Sequence, residues 1–313
     1  MHGTSSSSDP LPDAQRIGHL VSVADVVARL QARIEAQRAQ RRAEAAAQGI
    51  TCIDCWDTGR RRSGSTCTCA AGERLRAQEL AVARRERAAA WERWERELDD
   101  ALGLPPRLRG WTLDRLGESE PVRAVRRWLA RRNPDEGLVL VGPFGCGKTV
   151  TASALLHELV LRDACAHAER GEDPAGQDNA LSLPPPPPDP RRSGLFTTAT
   201  GLLEALRPRE DGRPDPSALT RFQTVRYLVI DDLGAERLTA WGADRLYEVL
   251  NSRYNAELPV IVTTNLDLAR LAARWNAQLG DESGDRLINR LIECCAVIRW
   301  PDRAPNLRLR HVN

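Results

Sequence analysis

The sequence predicts an α/β protein built on a parallel sheet, and two observations carry that prediction. From about residue 120 onward, short apolar runs alternate with helical stretches. The runs are "GLVLVG" (137–142), "GLFTTA" (194–199), "RYLVID" (226–231), "LPVIVTTN" (258–265) and "CCAVIRW" (294–300). Strands separated by helices pair in parallel, because a parallel crossover needs about a helix of chain to return. The second observation is "VGPFGCGKTV" (141–150), a glycine-rich loop between the first run and an amphipathic stretch, "TVTASALLHELVL". Strand, loop and helix in that order make a phosphate-binding turn of a P-loop core.

Composition sets bounds on the rest. The chain has 313 residues, 42% hydrophobic and 28% charged, which suits one substantial domain with extra segments, or two domains. A net charge of +2 excludes a global basic field, so any nucleic-acid contact has to be local. No apolar run approaches the ~20 residues that span a bilayer. The start, "MHGTSSSSDPLPD", is polar and lacks the apolar core of a secretory signal. The expectation is a cytoplasmic protein without membrane contact, disordered over residues 1–13. In that compartment eight cysteines are thiols or metal ligands rather than disulfides.

Residues 14–102 read as a helical N-terminal region. Residues 14–48 keep Leu20, Val23, Val27, Leu30 and Ile34 at three-to-four spacing before turning polar. The stripe is narrow, and it suits docking on a partner and packing on its own domain equally. Residues 71–102 form a second charged helix with Trp91, Trp94, Leu98 and Leu102 on one face, tryptophans better suited to packing than to base stacking. "GLPPRLRG" (103–110) breaks that helix and marks the boundary of a core running to about 300. Within the core, 163–193 is polar and proline-rich, which predicts a mobile insertion between the first helix and the second strand. Residues 301–313 form a C-terminal tail.

Between the two N-terminal helices, residues 50–70 carry Cys52, Cys55, Cys67 and Cys69, a C-x2-C-x11-C-x-C pattern. Four thiolates from two short knuckles close a tetrahedral Zn²⁺ site, and "WDTGRRRSGST" between them has the residues of a tight hairpin. Free or redox-active thiols are the competing reading. A metal would also give this small segment the cross-linking it needs to fold.

The phosphate loop is Gly142, Pro143, Phe144, Gly145, Cys146, Gly147, Lys148 and Thr149, matching G-x-x-x-x-G-K-[ST]. Glycines let backbone N–H groups close around phosphate oxygens, and the helix N-terminus adds its positive dipole end. The Lys148 ammonium reaches the β/γ-phosphates of ATP, and the Thr149 hydroxyl can ligate Mg²⁺. Lys148 is the sole lysine among 45 basic residues. A guanidinium is a wide fork and an ammonium a compact point charge, so a cradle of amides has room for the second only.

"YLVIDDLGAE" ends a strand in Asp231 and Asp232. Asp231 is placed to hold Mg²⁺, and Asp232 to polarise the attacking water as general base. Asn265 closes the next strand, where it can orient that water or sense the γ-phosphate.

Together these residues resemble the DnaC/IstB group of AAA+ ATPases, from about Leu104 to Trp300. The most specific stretch is "VIDDLGAERLTAWGADRLYEVLNSRYNAELPVIVTTNLDL" (229–268), in which Trp241, Leu246, Leu250 and Tyr254 also read as a helix face. The resemblance implies a five-stranded AAA+ core that self-associates through ATP-filled interfaces. "GDRLINRLIECC" (284–295) is similar to the family's arginine-finger helix, with Arg290 at the finger position and Arg286 a second candidate one turn earlier. The proline-rich insertion departs from the family. After Trp300 only 13 residues remain, which leaves no room for a lid domain or a helix-turn-helix.

The resemblance implies a helicase loader that binds ATP·Mg²⁺ and single-stranded DNA and delivers a replicative DnaB-type helicase. Arginines of "RPREDGRP" (207–214) are candidates for the DNA path, against a plain solvated loop. Two alternatives stand beside it: an IstB-type transposition helper, and a nucleotide-gated adaptor with negligible turnover.

Overall fold

The computed structural model describes residues 23–131, 133, 135–170, 185–208 and 215–305, without the side chains of 23–26 and 170. The expectations for residues 1–22, 171–184, 209–214 and 306–313 lie outside the described residues. The chain divides into two compact units, Met1–Val82 and Ala83–Asn313.

The first unit contains helix α1 (Val23–Ala47), the cysteine segment, and the start of helix α2 (Ala70–Ala101). Along α1, Val27, Leu30 and Ile34 are about half exposed. These three residues of the stripe are thus not packed into a core among the described residues; the side chains of Leu20 and Val23 lie outside them. Apolar burial in this unit is confined to Ala45, Cys55 and Cys67 among the described residues.

The second unit holds a five-stranded parallel sheet in the order β2-β3-β4-β1-β5. The strands are β1 (Gly137–Val141), β2 (Gly194–Thr198), β3 (Tyr227–Leu233), β4 (Val260–Thr264) and β5 (Cys295–Arg299). All five expected runs became strands, and all pair in parallel. The helices are α3 (Glu120–Arg131), α4 (Lys148–Arg170), α5 (Pro190–Ser193), α6 (Ala199–Ala205), α7 (Pro216–Thr224), α8 (Ala240–Asn255), α9 (Leu268–Leu279) and α10 (Ser283–Cys294).

Alternation along the strands gives the sheet two cores. Leu138 and Leu140 of β1 join Leu155, Leu156 and Val160 of α4. Val139 and Val141, pointing the other way, join Leu246 of α8, Trp275 of α9 and Leu291 of α10. The result is a three-layer sandwich with both sheet faces covered, as parallel sheets require. β1, β3 and β4 are the most buried strands, and the site forms at their C-terminal ends.

Two boundaries differ from expectation. The C-terminal half of α2 belongs to the second unit, because Trp94, Leu98 and Leu102 are buried in its core. Their indole and apolar surface outweighs the proline break at 105, which only ends the helix. The insertion expected from 163 begins later, since α4 continues to Arg170. At its far end the prolines are held: Trp91 Nε1 donates to the Pro185 carbonyl at 3.2 Å and Trp94 Nε1 to that of Pro188 at 2.7 Å. These carbonyls lie outside any helix or strand, and the indole N–H groups give them the donor that a ladder would otherwise supply. On α8, Leu246 and Leu250 are buried as expected, while Trp241 and Tyr254 stay partly exposed.

Candidate functional site

The phosphate loop follows β1 directly, and Lys148 opens α4. Gly147 sits at φ 102°, a backbone region that only glycine enters without strain. The Lys148 side chain is buried, with Nζ 2.8 Å from the carbonyl oxygens of Gly142 and Pro143 and 2.8 Å from Asn265 Oδ1. These three acceptors use all three N–H donors of the ammonium. Burial pulls the Lys148 pKa below its ordinary value, and the nearby Cys146 sulfur and the Asp232 and Asp231 carboxylates oppose this.

Asn265 continues the chain of contacts, donating through Nδ2 to Asp232 Oδ1 at 2.5 Å. Lys148, Asn265 and Asp232 thus form one connected polar line, three residues drawn from β1's loop and from the ends of β4 and β3. Asp231 lies beside it, buried, accepting from Thr263 Oγ1 at 2.7 Å. Burial pushes the Asp231 carboxyl up; the Thr263 and Thr149 hydroxyls oppose this, as does the Lys148 charge, while Asp232 adds to it.

A plain strand would send consecutive side chains to opposite faces. Here the β3–β4 register shifts between Ile230 and Leu233, and the Asp231 carboxylate and the Asp232 amide both meet Thr263 while the Asp232 carboxylate meets Asn265. Asp232 adopts φ 58° at this bulge. Thr263 Oγ1 pins both acids, donating to Asp231 and accepting from the Asp232 amide at 2.9 Å. Bulges recur next to active sites because they re-aim a side chain. Sequence reading placed all the acids but missed Thr263, since Thr-Thr-Asn also reads as ordinary turn chemistry.

The two finger candidates are on α10. Arg290 donates to Glu293 Oε2 at 2.7 Å and lies 4.4 Å from the Tyr254 ring centroid. Arg286 lies 5.2 Å from the Tyr247 ring centroid. Their described contacts are to α8 and to α10 itself.

Residues 192–312 match the family of IstB-like ATP binding proteins. That span includes Asp231, Asp232, Thr263, Asn265 and Arg290, and starts after the phosphate loop. A protein described as ATP-binding in an insertion sequence of Mycobacterium tuberculosis is 28% identical over 222 residues, 69% of this chain and 72% of that protein. An IS21-like insertion-sequence protein of Bacteroides fragilis, also described as ATP-binding, is 29% identical over 55% of this chain and 54% of its own length. The replicative helicase loader DnaI of Bacillus subtilis is 23% identical over 56% of this chain and 48% of its own. The aligned region thus spans about half the length of the latter two relatives. The crystal structure of the DnaC helicase loader aligns with 63% of this chain and the whole of that one, at 24% identity and a TM-score of 0.47. The chain is homologous to insertion-sequence ATP-binding proteins and to DnaI.

The first unit has its own candidate site. The Sγ atoms of Cys52, Cys55, Cys67 and Cys69 all lie within 4.8 Å of one another. Cys52 and Cys67 are 3.7 Å apart and Cys55 and Cys69 3.4 Å. A tetrahedral zinc site with bonds of about 2.3 Å puts its sulfurs about 3.8 Å apart, so the cluster fits the ion. The Cys69 amide, with help from Arg61, holds the Cys67 thiol down to about 6, while burial and the Cys69 thiol push Cys55 up to about 12, so Cys67 is ready as a thiolate and Cys55 must release its proton on metal binding. Asp57 organises the first knuckle, accepting from the amides of Thr51 and Cys52 at 2.8 and 2.9 Å. Gly72 lets α2 start against the second knuckle: a Cβ there would meet the Cys67 carbonyl oxygen at 1.9 Å. Neither Asp57 nor Gly72 stands out in the sequence, because each matters only once the loop closes.

No helix among the described residues is long and apolar enough to cross a membrane.

Proposed function

We propose that this chain is an ATP-hydrolysing loader that delivers a replicative DnaB-type helicase to single-stranded DNA. The observation that carries the ATPase reading is the continuous line from Lys148 through Asn265 to Asp232. Phosphate oxygens compete with the Gly142 and Pro143 carbonyls for the Lys148 ammonium. Lys148 released towards phosphate loosens its hold on Asn265, which then orients a water against Asp232. Asp232 takes the proton of that water as it attacks. Thr149 and Asp231 are the residues that would hold Mg²⁺, which neutralises charge on the β- and γ-phosphates when bound. Arg290, with Arg286 as the second candidate, serves the site of a neighbouring subunit. A Lys148→Ala chain that bound and hydrolysed ATP normally would end this reading.

The loader assignment is supported by the separate N-terminal unit. It offers a half-exposed apolar stripe on α1 and a cysteine cluster that would hold Zn²⁺, a structural ion that ties the two knuckles together. The similarity to DnaI points the same way. A second reading, a transposition helper that acts on double-stranded DNA, is favoured by the family match and by the two insertion-sequence relatives. Copurification from host lysate with a non-hydrolysable ATP analogue separates them: a hexameric helicase supports the first, a transposase the second. The adaptor alternative fails if DNA-stimulated phosphate release stands well above that of an Asp231→Ala control.

A further inference from the structure

A groove of about 880 Å³ lies at the N-terminal ends of β2 and β3, the opposite strand ends from those that carry the phosphate loop, Asp231 and Asn265. α5 runs directly into β2 and α7 leads into β3, so the groove forms where these two neighbouring strands begin. Arg191 and Arg192 of α5 line it on one side. On the other is one face of α7, with Ser217, Thr220, Arg221 and Thr224 at helical spacing.

The groove gathers unspent charge. Several other surface arginines of the second unit meet a carboxylate, among them Arg123, Arg126, Arg127, Arg162, Arg226 and Arg245; here three that make no such pair line one groove. Arg191, Arg192 and Arg221 are exposed, and none makes an ion pair or side-chain hydrogen bond among the described residues. The nearest acids in sequence are engaged as helix caps. Asp189 accepts from the Arg191 amide at 3.0 Å and Asp215 from the Ser217 amide at 2.9 Å. The α7 hydroxyls also have acceptors already: Ser217 meets Asp215, Thr220 the Pro216 carbonyl and Thr224 the Thr220 carbonyl. That leaves three guanidiniums as the free donors of the groove.

We infer that this groove is a sequence-independent track for the phosphodiester backbone of nucleic acid. Guanidinium forks match phosphate oxygens. No aromatic ring lines the groove for base stacking, and no amide or carboxylate side chain lines it to read base edges. Pro216 and Val225 add apolar lining, but no aromatic side chain lines the groove as an anchor for a protein partner. Cations on both walls suit a polyanion with successive phosphates better than a single phosphate group. The inference rests on the reading that the chain acts on nucleic acid, and it places that contact at the opposite strand ends from the phosphate loop.

The test is the salt dependence of binding by the full chain, followed by fluorescence anisotropy with a labelled single strand and with its duplex. Each phosphate contact contributes about 0.7 to the slope of log K against log salt for a single strand and about 0.9 for a duplex. R191A/R192A/R221A is expected to lose about 2 from the slope if a single strand occupies the groove, or about 2.7 if a duplex does. The loss should be equal across unrelated sequences. A triple arginine-to-lysine variant should keep the native slope, and both variants should bind ATP normally, which controls for folding. If the native chain binds nucleic acid and the alanine variant keeps its slope, the groove assignment is overturned while the wider reading stands. Loss confined to one base sequence also overturns it. A native chain that binds neither form overturns both.

Discussion

Lys148 shows how much one residue type can say. Its three donors meet three acceptors at 2.8 Å, a geometry in which a planar fork has no place. Lys148→Arg keeps the charge, yet it is expected to cut ATP hydrolysis by about 10²-fold or more, as losing a single positioned donor does; steady-state phosphate release checks this. Asp231 carries a second prediction. Burial raises its carboxyl, so between its unfolded and folded values the folded chain binds more protons, and stability falls as pH rises through that window. Asp231→Asn removes the penalty. Without nucleotide or Mg²⁺ at pH 7.5 it should melt about 2–4 °C higher, the shift ~1 kcal/mol makes in a domain of this size, while hydrolysis is lost. The gap should close as pH falls through the folded value. Melting curves at two pH values would refute this if the variant were less stable at both. These residues were legible in sequence because phosphate chemistry dictates their type and spacing. Thr263 was not, because its role depends on a one-residue register shift that no spacing rule announces.

At the scale of elements, the five strands were legible because a strand buried on both faces must be apolar along its whole length. The joints between elements were not. Arg253 near the end of α8 is 1% exposed, and its guanidinium donates to the carbonyls of Phe222, Val225, Arg226 and Pro259 at 2.6–3.1 Å. It ties the end of α7, the start of β3 and the approach to β4 into one corner. In a sequence with so many arginines nothing distinguishes this one, since its partners are backbone atoms with no signature of their own. Burial pulls its pKa down to about 9, so it is still charged at neutral pH. Removing one partner of a buried charged hydrogen bond leaves the others unsatisfied. Arg253→Met is expected to destabilise the second unit by about 3 kcal/mol or more, measured by urea unfolding. A change below about 1 kcal/mol would mean that water replaces the guanidinium.

The whole molecule is a joining of two unlike stability problems. The second unit buries two continuous apolar cores, and it stands on them. Among its described residues, the first buries only Ala45 and two cysteines of apolar type, too little apolar surface to offset the chain entropy of that stretch. Sequence placed the boundary at the proline break after α2, whereas the buried Trp94, Leu98 and Leu102 carry that helix's end into the second unit; composition marks where a helix stops, not which core claims it. The division predicts two thermal transitions with separate controls. Chelation of zinc, in the absence of nucleotide, should abolish the transition of the first unit, because ligand binding and folding are one event when no core stands behind the site. ATP at 100 times its dissociation constant should leave that transition alone. It should stabilise the second unit by about 2.7 kcal/mol, a rise of roughly 5–10 °C at this size. Calorimetry of the full chain with and without each agent is the measurement. A chelator that moves neither transition would remove the metal from Cys52, Cys55, Cys67 and Cys69, and a single transition answering to both agents would show that the units fold as one.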